Sequence, residues 1–186
     1  SRQVVRRFRC MLLFHGTTLK AYRSIEKQID VYYNADNETD FGYGFYLGDE
    51  VYARQTAHAK SSVARRAAGR NEGDCIPILL AFEVDEEAIL RKYKCLVYKH
   101  KNMEFLNNVF ISRYNRGKDM LKVDYISAPM ADGMVNNVMK YYMAKESAFR
   151  KSVALFRYWL PVFHRQRVIK NPDVLKFVHL MWHKQV

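Results

Sequence analysis

Proline and glycine are both scarce in this sequence, at 4 and 8 of 186 residues. No Gly/Ser/Pro-rich linker, low-complexity stretch or internal repeat interrupts it, which excludes repeat and linker-joined architectures. Cysteine is scarcer still. Cys10, Cys75 and Cys95 are odd in number and widely spaced, with no CxxC pair and no zinc spacing. Three reduced, structural thiols in a reducing, cytoplasmic compartment are the expectation, and no metal. No apolar run approaches the roughly 20 residues that a membrane span needs. The longest, Ile76 to Phe82, is strand-sized. The basic N-terminus lacks an apolar h-region and a small-residue cleavage site, so no secretory signal is expected. Residues 1–10 read as a basic arm or a non-native addition, and 11–186 as one domain.

Acid is also in deficit. Lys plus Arg number 31 against 19 for Asp plus Glu, a net charge of +12, which makes nucleic acid, an acidic partner protein or an anionic ligand plausible company. The distribution is uneven. Residues 30–50 carry Asp30, Asp36, Glu38, Asp40, Asp49 and Glu50 with no Lys or Arg, while 60–70 carry Lys60, Arg65, Arg66 and Arg70 with no acid. An acidic loop followed by a basic helix is the simplest reading.

What is present is an ordinary globular composition, with 49% hydrophobic residues, patterned as strands scattered among helices. Met11–Phe14 predicts a short strand ending at His15-Gly16, and Thr18–Lys27 a helix with Leu19, Tyr22 and Ile25 on one face. Asn34–Asp40 predicts a loop, Gly44–Leu47 a strand or extended turn, and alanine-rich Val51–Ala68 a helix. Ile76–Val84 predicts a buried strand, and Glu86–Arg91 and Met103–Tyr114 helices. Leu121–Ser127 predicts a strand broken by Pro129, followed by helices over 131–143 and 145–159. Phe163–Ile169 predicts a strand and Val174–His183 a closing helix. Without regular βαβ spacing, this order argues for α+β with a mixed or antiparallel sheet.

Two segments carry possible chemistry. Phe14-His15-Gly16-Thr17-Thr18 ends a strand in a histidine, a glycine that permits close approach to the backbone, and two hydroxyls. It reads either as a ligand grip or as a strand–turn–helix junction with Thr17 or Thr18 as N-cap. Asp40-Phe41-Gly42-Tyr43-Gly44-Phe45-Tyr46-Leu47-Gly48 overlaps a dinucleotide fingerprint, but Leu47 stands where a third glycine belongs and no parallel βαβ unit surrounds it. Glycines among aromatics instead make either a thin wall suited to stacking on a planar, cationic ring, or a kinked hairpin with an aromatic core. His179 and His183 stand four apart in the expected closing helix, without a third metal ligand.

Together the two segments resemble the first and second motifs of the ADP-ribosyltransferase fold, His-Gly-Thr/Ser and Gly-x-Gly-x-Tyr. Val123-Asp124-Tyr125-Ile126-Ser127-Ala128-Pro129-Met130-Ala131-Asp132 is similar to the Asp-Tyr-Asp-Ile-Val-x-Gly-Pro-Val-Ala-Asp stretch of a widespread, largely uncharacterised bacterial family of such enzymes. Its late motif, a Gln before an apolar strand and a Leu-containing helix, is similar to Gln166-Arg167-Val168-Ile169-Lys170 and Leu175. The likeness runs in order over about residues 11–180.

The resemblance implies a split antiparallel β-sandwich flanked by helices, with NAD as co-substrate. His15 would bind the adenosine-side ribose, the Gly16 backbone the nicotinamide carboxamide, and Thr17 the ribose edge. Tyr46 would stack on nicotinamide, with Gly44 and Phe45 lining the approach. Gln166 stands where many transferases carry Glu. It can hydrogen-bond the ribose 2′-OH but cannot be a general base, so another group must activate the acceptor. Asp132 and Asp124 are the spare acids, Asp132 also reading as a helix N-cap. The implied function is transfer of ADP-ribose to nucleic acid or protein, as a toxin of a toxin–antitoxin or defence system with an antitoxin partner. A non-catalytic binding module and an NAD glycohydrolase are the rival readings. Arg65, Arg66, Arg70, Arg150, Lys151, Arg157, Arg165, Arg167 and Lys170 read as cations for phosphates or an acidic partner, or as a solvated face.

Overall fold

The computed structural model describes residues 10–35, 39–68, 73–114, 119–131 and 162–186. The fold is mixed α+β, with a seven-stranded mixed sheet and, among the described residues, four α-helices. The chain divides into two compact units. One holds the residues up to Ile29 with Leu47–Lys94 and Asp173–Val186, and the other holds Asp30–Tyr46 and Cys95–Pro172.

In the first unit, β1 (Met11–Thr18) pairs antiparallel with β3 (Pro77–Val84) along its whole length, Met11 opposite Val84 and Thr18 opposite Pro77. Strand β3 is apolar nearly throughout and buried at seven of its eight positions, as a central strand must be. The other neighbour of β3 is β7 (Val178–Gln185), and β1 also meets the end of β2 (Phe45–Gly48) at Phe14 and Gly48. Helix α1 (Leu19–Lys27) starts at Thr18, whose hydroxyl accepts from Ala21 N, so the hydroxyl pair supplies the N-cap through its second member. Helix α2 (Glu50–Ala68) buries Ala53, Ala57 and Ser61 at spacings of four, a stripe of small side chains that packs closely on β1. Helix α3 (Glu86–Lys92) is capped by Asp85 and has acids in its first turn and bases in its last, matching the helix dipole.

In the second unit, β4 (Cys95–Val97) lies parallel to β5 (Tyr125–Pro129), and β5 antiparallel to β6 (Arg165–Ile169) with Ala128 opposite Gln166. Helix α4 (Met103–Tyr114) is capped by Asn102, whose side chain accepts from Phe105 N at 2.9 Å. It sends Phe105, Leu106 and Val109 into a core with Phe41, Tyr98, Val123, Ile126, Ala128 and Val168.

Three expectations are corrected. The segment 174–183 is not a helix: Pro172–Phe177 forms a short 3-10 turn and Val178–Gln185 a strand paired with β3. The run Val-His-Leu-Met-Trp suits either period, and the buried edge of β3 decides. Strand β1 continues through His15-Gly16 to Thr18 because its ladder with β3 does not stop at the glycine. Strand β5 begins at Tyr125 and includes Pro129, which closes it opposite Arg165. The expected helices over 131–143 and 145–159 lie almost entirely outside the described residues, as do Asp132, Arg70, Arg150, Lys151 and Arg157. No disulfide links the three cysteines, and no described helix is long and apolar enough to cross a membrane.

Candidate functional site

The first unit presents His15-Gly16-Thr17 near the C-terminal end of β1. Thr17 is buried, and His15 sits opposite Leu80. Gly16 has a definite steric reason. A Cβ there would lie 1.8 Å from Ala53 O and 2.7 Å from Ala57 N, so the glycine admits α2 rather than leaving the backbone open on that side. Its carbonyl accepts from Lys60 Nζ at 2.8 Å, which uses one of the two lone pairs a carbonyl offers.

The second unit brings the glycine–aromatic segment and Gln166 together. Gly42 has φ +74° and Gly44 φ +156°, conformations that L side chains rarely adopt, and a Cβ at Gly44 would lie 2.4 Å from Val168 Cγ1 on β6. The loop is closed from inside. Tyr46 Oη donates to Gly42 O at 2.8 Å and accepts from Phe41 N at 3.1 Å, and burial pushes its phenol well above the usual range. Its ring packs against the core cluster, and Phe45 is buried. Gly44 N donates to Asn34 Oδ1 at 3.0 Å.

Gln166 is 4% exposed, and its Nε2 donates to Asp40 Oδ2 at 2.7 Å and to Pro129 O at 3.1 Å. Asp40 also accepts from Ala131 N at 3.0 Å and pairs with Arg113 Nη2 at 2.7 Å. One carboxylate thus ties the head of the glycine segment to β6, to the end of β5 and to α4.

Sequence reasoning assigned no role to Asp40 or Arg113. Asp40 begins the quoted glycine segment, but nothing along the chain links it to a glutamine 126 residues away. Lys170 is a second correction. Expected among surface cations, it is 2% exposed, because its ammonium donates to Phe41 O and Tyr43 O at 3.0 Å each. It also lies 3.3 Å from Asp119 and 4.0 Å above the Tyr43 ring. Burial lowers its pKa, while Asp119 opposes the shift. Tyr43 donates to the same Asp119 at 3.1 Å, and its phenol is pushed up to about 12, chiefly by burial and then by that carboxylate. Arg165, another expected surface cation, donates to Tyr98 O at 2.7 Å and to Lys99 O at 3.2 Å. Asp124 holds Asn171 Nδ2 at 2.9 Å. His183 Nδ1 meets Tyr22 Oη at 2.9 Å, and no group of three or more potential metal ligands occurs among the described residues.

A family whose description is "Protein of unknown function (DUF3990)" has a sequence model that matches residues 11–180. No curated protein and no solved structure matches the chain.

Proposed function

The chain belongs to the DUF3990 family of proteins of unknown function, and from its residues we propose that it is an NAD-dependent ADP-ribosyltransferase acting on a macromolecule. The observation that carries this reading is the oriented Gln166. A carboxamide with 4% exposure, whose two hydrogen bonds to described residues both leave from Nε2, keeps Oε1 as its remaining acceptor toward them. That is the atom a ribose 2′-hydroxyl would need. Breaking the bond between C1′ and nicotinamide develops positive charge on the ribose, and a fixed acceptor there favours the transition state over the ground state. In the same reading the Tyr46 ring, from the loop whose Gly44 lies against Val168 of β6, stacks on the nicotinamide. The resemblance assigns the adenosine-side ribose to His15, the nicotinamide carboxamide to the Gly16 backbone and the ribose edge to Thr17. The arrangement would be the split antiparallel sandwich of such transferases. Asp132 would be the auxiliary acid.

A glutamine supplies no base, so the acceptor must be nucleophilic by itself or activated elsewhere. With a net charge of +12, a nucleic acid is the preferred acceptor, and a protein is the alternative. A growth-arresting toxin in the cytoplasm, restrained by an antitoxin protein, is the corresponding biological role. The same lack of a base favours one second reading, a non-catalytic module binding NAD, nucleic acid or protein.

The test is nicotinamide release from NAD in a cell lysate by wild type, Gln166→Ala and Tyr46→Phe, each checked for native circular dichroism. Release that Gln166→Ala abolishes supports the transferase reading, and labelled NAD then identifies the modified macromolecule. Absence of release from folded wild type rejects it in favour of the binding module.

A further inference from the structure

The glutamine does not work alone. We propose that Asp40 is the positioning residue of Gln166, and that the Asp40–Gln166 pair supplies the negative character that a single glutamate provides in related chemistry. This rests on the transferase reading above. The orientation of the amide is fixed by its neighbours. Turned over, Gln166 would set Oε1 against Asp40 Oδ2 and Pro129 O, which are acceptors facing an acceptor. Asp40 is in turn held from two sides, by Arg113 Nη2 at 2.7 Å and Ala131 N at 3.0 Å. Its side chain is 16% exposed and that of Arg113 20% exposed, so little water competes.

The charge flow follows from the bonding. An amide N–H donated to a carboxylate shifts electron density along the amide to Oε1, and linked hydrogen bonds strengthen one another where the dielectric is low. Oε1 accepts no hydrogen bond from a described residue, so the gain falls on the atom that would face a ribose hydroxyl. Asp40 bonds the amide directly, Arg113 pairs with Asp40, and both charges act on the Tyr46 phenol. Arg113 balances Asp40, and the phenol is held protonated by burial. The pair therefore orients and polarises without itself taking a proton.

The test has two arms on the full chain. In the first, Gln166→Glu is unfolded thermally between about pH 4.5 and 8. Two carboxylates within one hydrogen bond share a proton, so the pKa of the introduced carboxyl rises in the folded state. The variant is expected to match wild type at the acid end and to lose stability as pH rises, a loss that wild type lacks. A profile parallel to wild type overturns the pairing. In the second arm, nicotinamide release is compared for wild type and Asp40→Asn. Expected is a fall in kcat on the order of 100-fold with KM for NAD near wild type, as for a misaligned catalytic group. If Gln166→Ala abolishes release and Asp40→Asn does not, the positioning role alone falls. A change confined to KM also overturns it. If wild type releases no nicotinamide, the transferase reading falls and takes the catalytic role of the pair with it, whatever the first arm shows.

Discussion

At Gly16 the backbone of β1 lies so close to α2 that a methyl group would sit 1.8 Å from the Ala53 carbonyl oxygen. Backbone atoms cannot swing aside as a side-chain end can. Gly16→Ala therefore must push α2 away from β1 and uncover Ala53 and Ala57, both nearly fully buried. The expected cost is about 3 kcal/mol or more, read as a fall in the urea midpoint. Little change would mean that α2 is not seated on β1 in this way. The glycine of the His-Gly-Thr motif thus has a packing duty that is separate from any ligand. That duty was not legible in the sequence, where a glycine after a strand signals close approach without saying by what. The residue types of the second segment were more informative. Its glycines among aromatics were read as a stacking wall or as a kinked hairpin, and Gly42 at φ +74° supplies a kink.

Among elements, the loop from Phe41 to Tyr46 is held by a tyrosine inside it and a lysine outside it. Tyr46 bonds Phe41 N and Gly42 O, and Lys170 bonds Phe41 O and Tyr43 O. The Tyr43 phenol joins this arrangement through Asp119 and carries a testable pH signature. Its pKa is raised to about 12 from an unfolded value of 10.0, so the folded state keeps a proton that the unfolded state has lost. Its contribution to stability is complete below pH 10 and disappears as pH rises to about 12. Lys170 has the opposite sign, since a lowered ammonium pKa gives stability that increases with pH. The comparison that isolates Tyr43 is wild type against Tyr43→Phe. The stability difference between the two should shrink or reverse between pH 10 and about 12, followed by denaturant unfolding. A constant difference would show that the phenol is not buried against Asp119. At this scale the sequence foretold α1 to α4, β3 and β6 closely: α1 and β6 show a clear period, α2 is rich in alanine, and β3 is an apolar run of strand length. It failed at 174–183, where strand and helix patterns overlap and pairing with β3 wins.

For the whole molecule, the excess of 12 positive charges is the property that no local contact cancels. If the acceptor is a nucleic acid, the protein should bind RNA or DNA without NAD at low salt. Affinity should then fall by on the order of 1,000-fold between about 50 and 200 mM salt, measured by fluorescence anisotropy, provided about six or more phosphates are neutralised. A flat salt response would direct the search to a protein acceptor. The sequence by itself determined the α+β class, the absence of disulfide and zinc patterns, the cationic balance and the identity of the glycine–aromatic segment. These depend on composition and on spacings shorter than an element. The tertiary structure alone decided that Asp40 meets Gln166, 126 residues on, and that Lys170 is anchored to Phe41, 129 residues back. It also decided that Gly16 serves α2. Such partnerships are made by strand order and register, which bring distant residues within hydrogen-bond reach, and no periodicity along the chain encodes them.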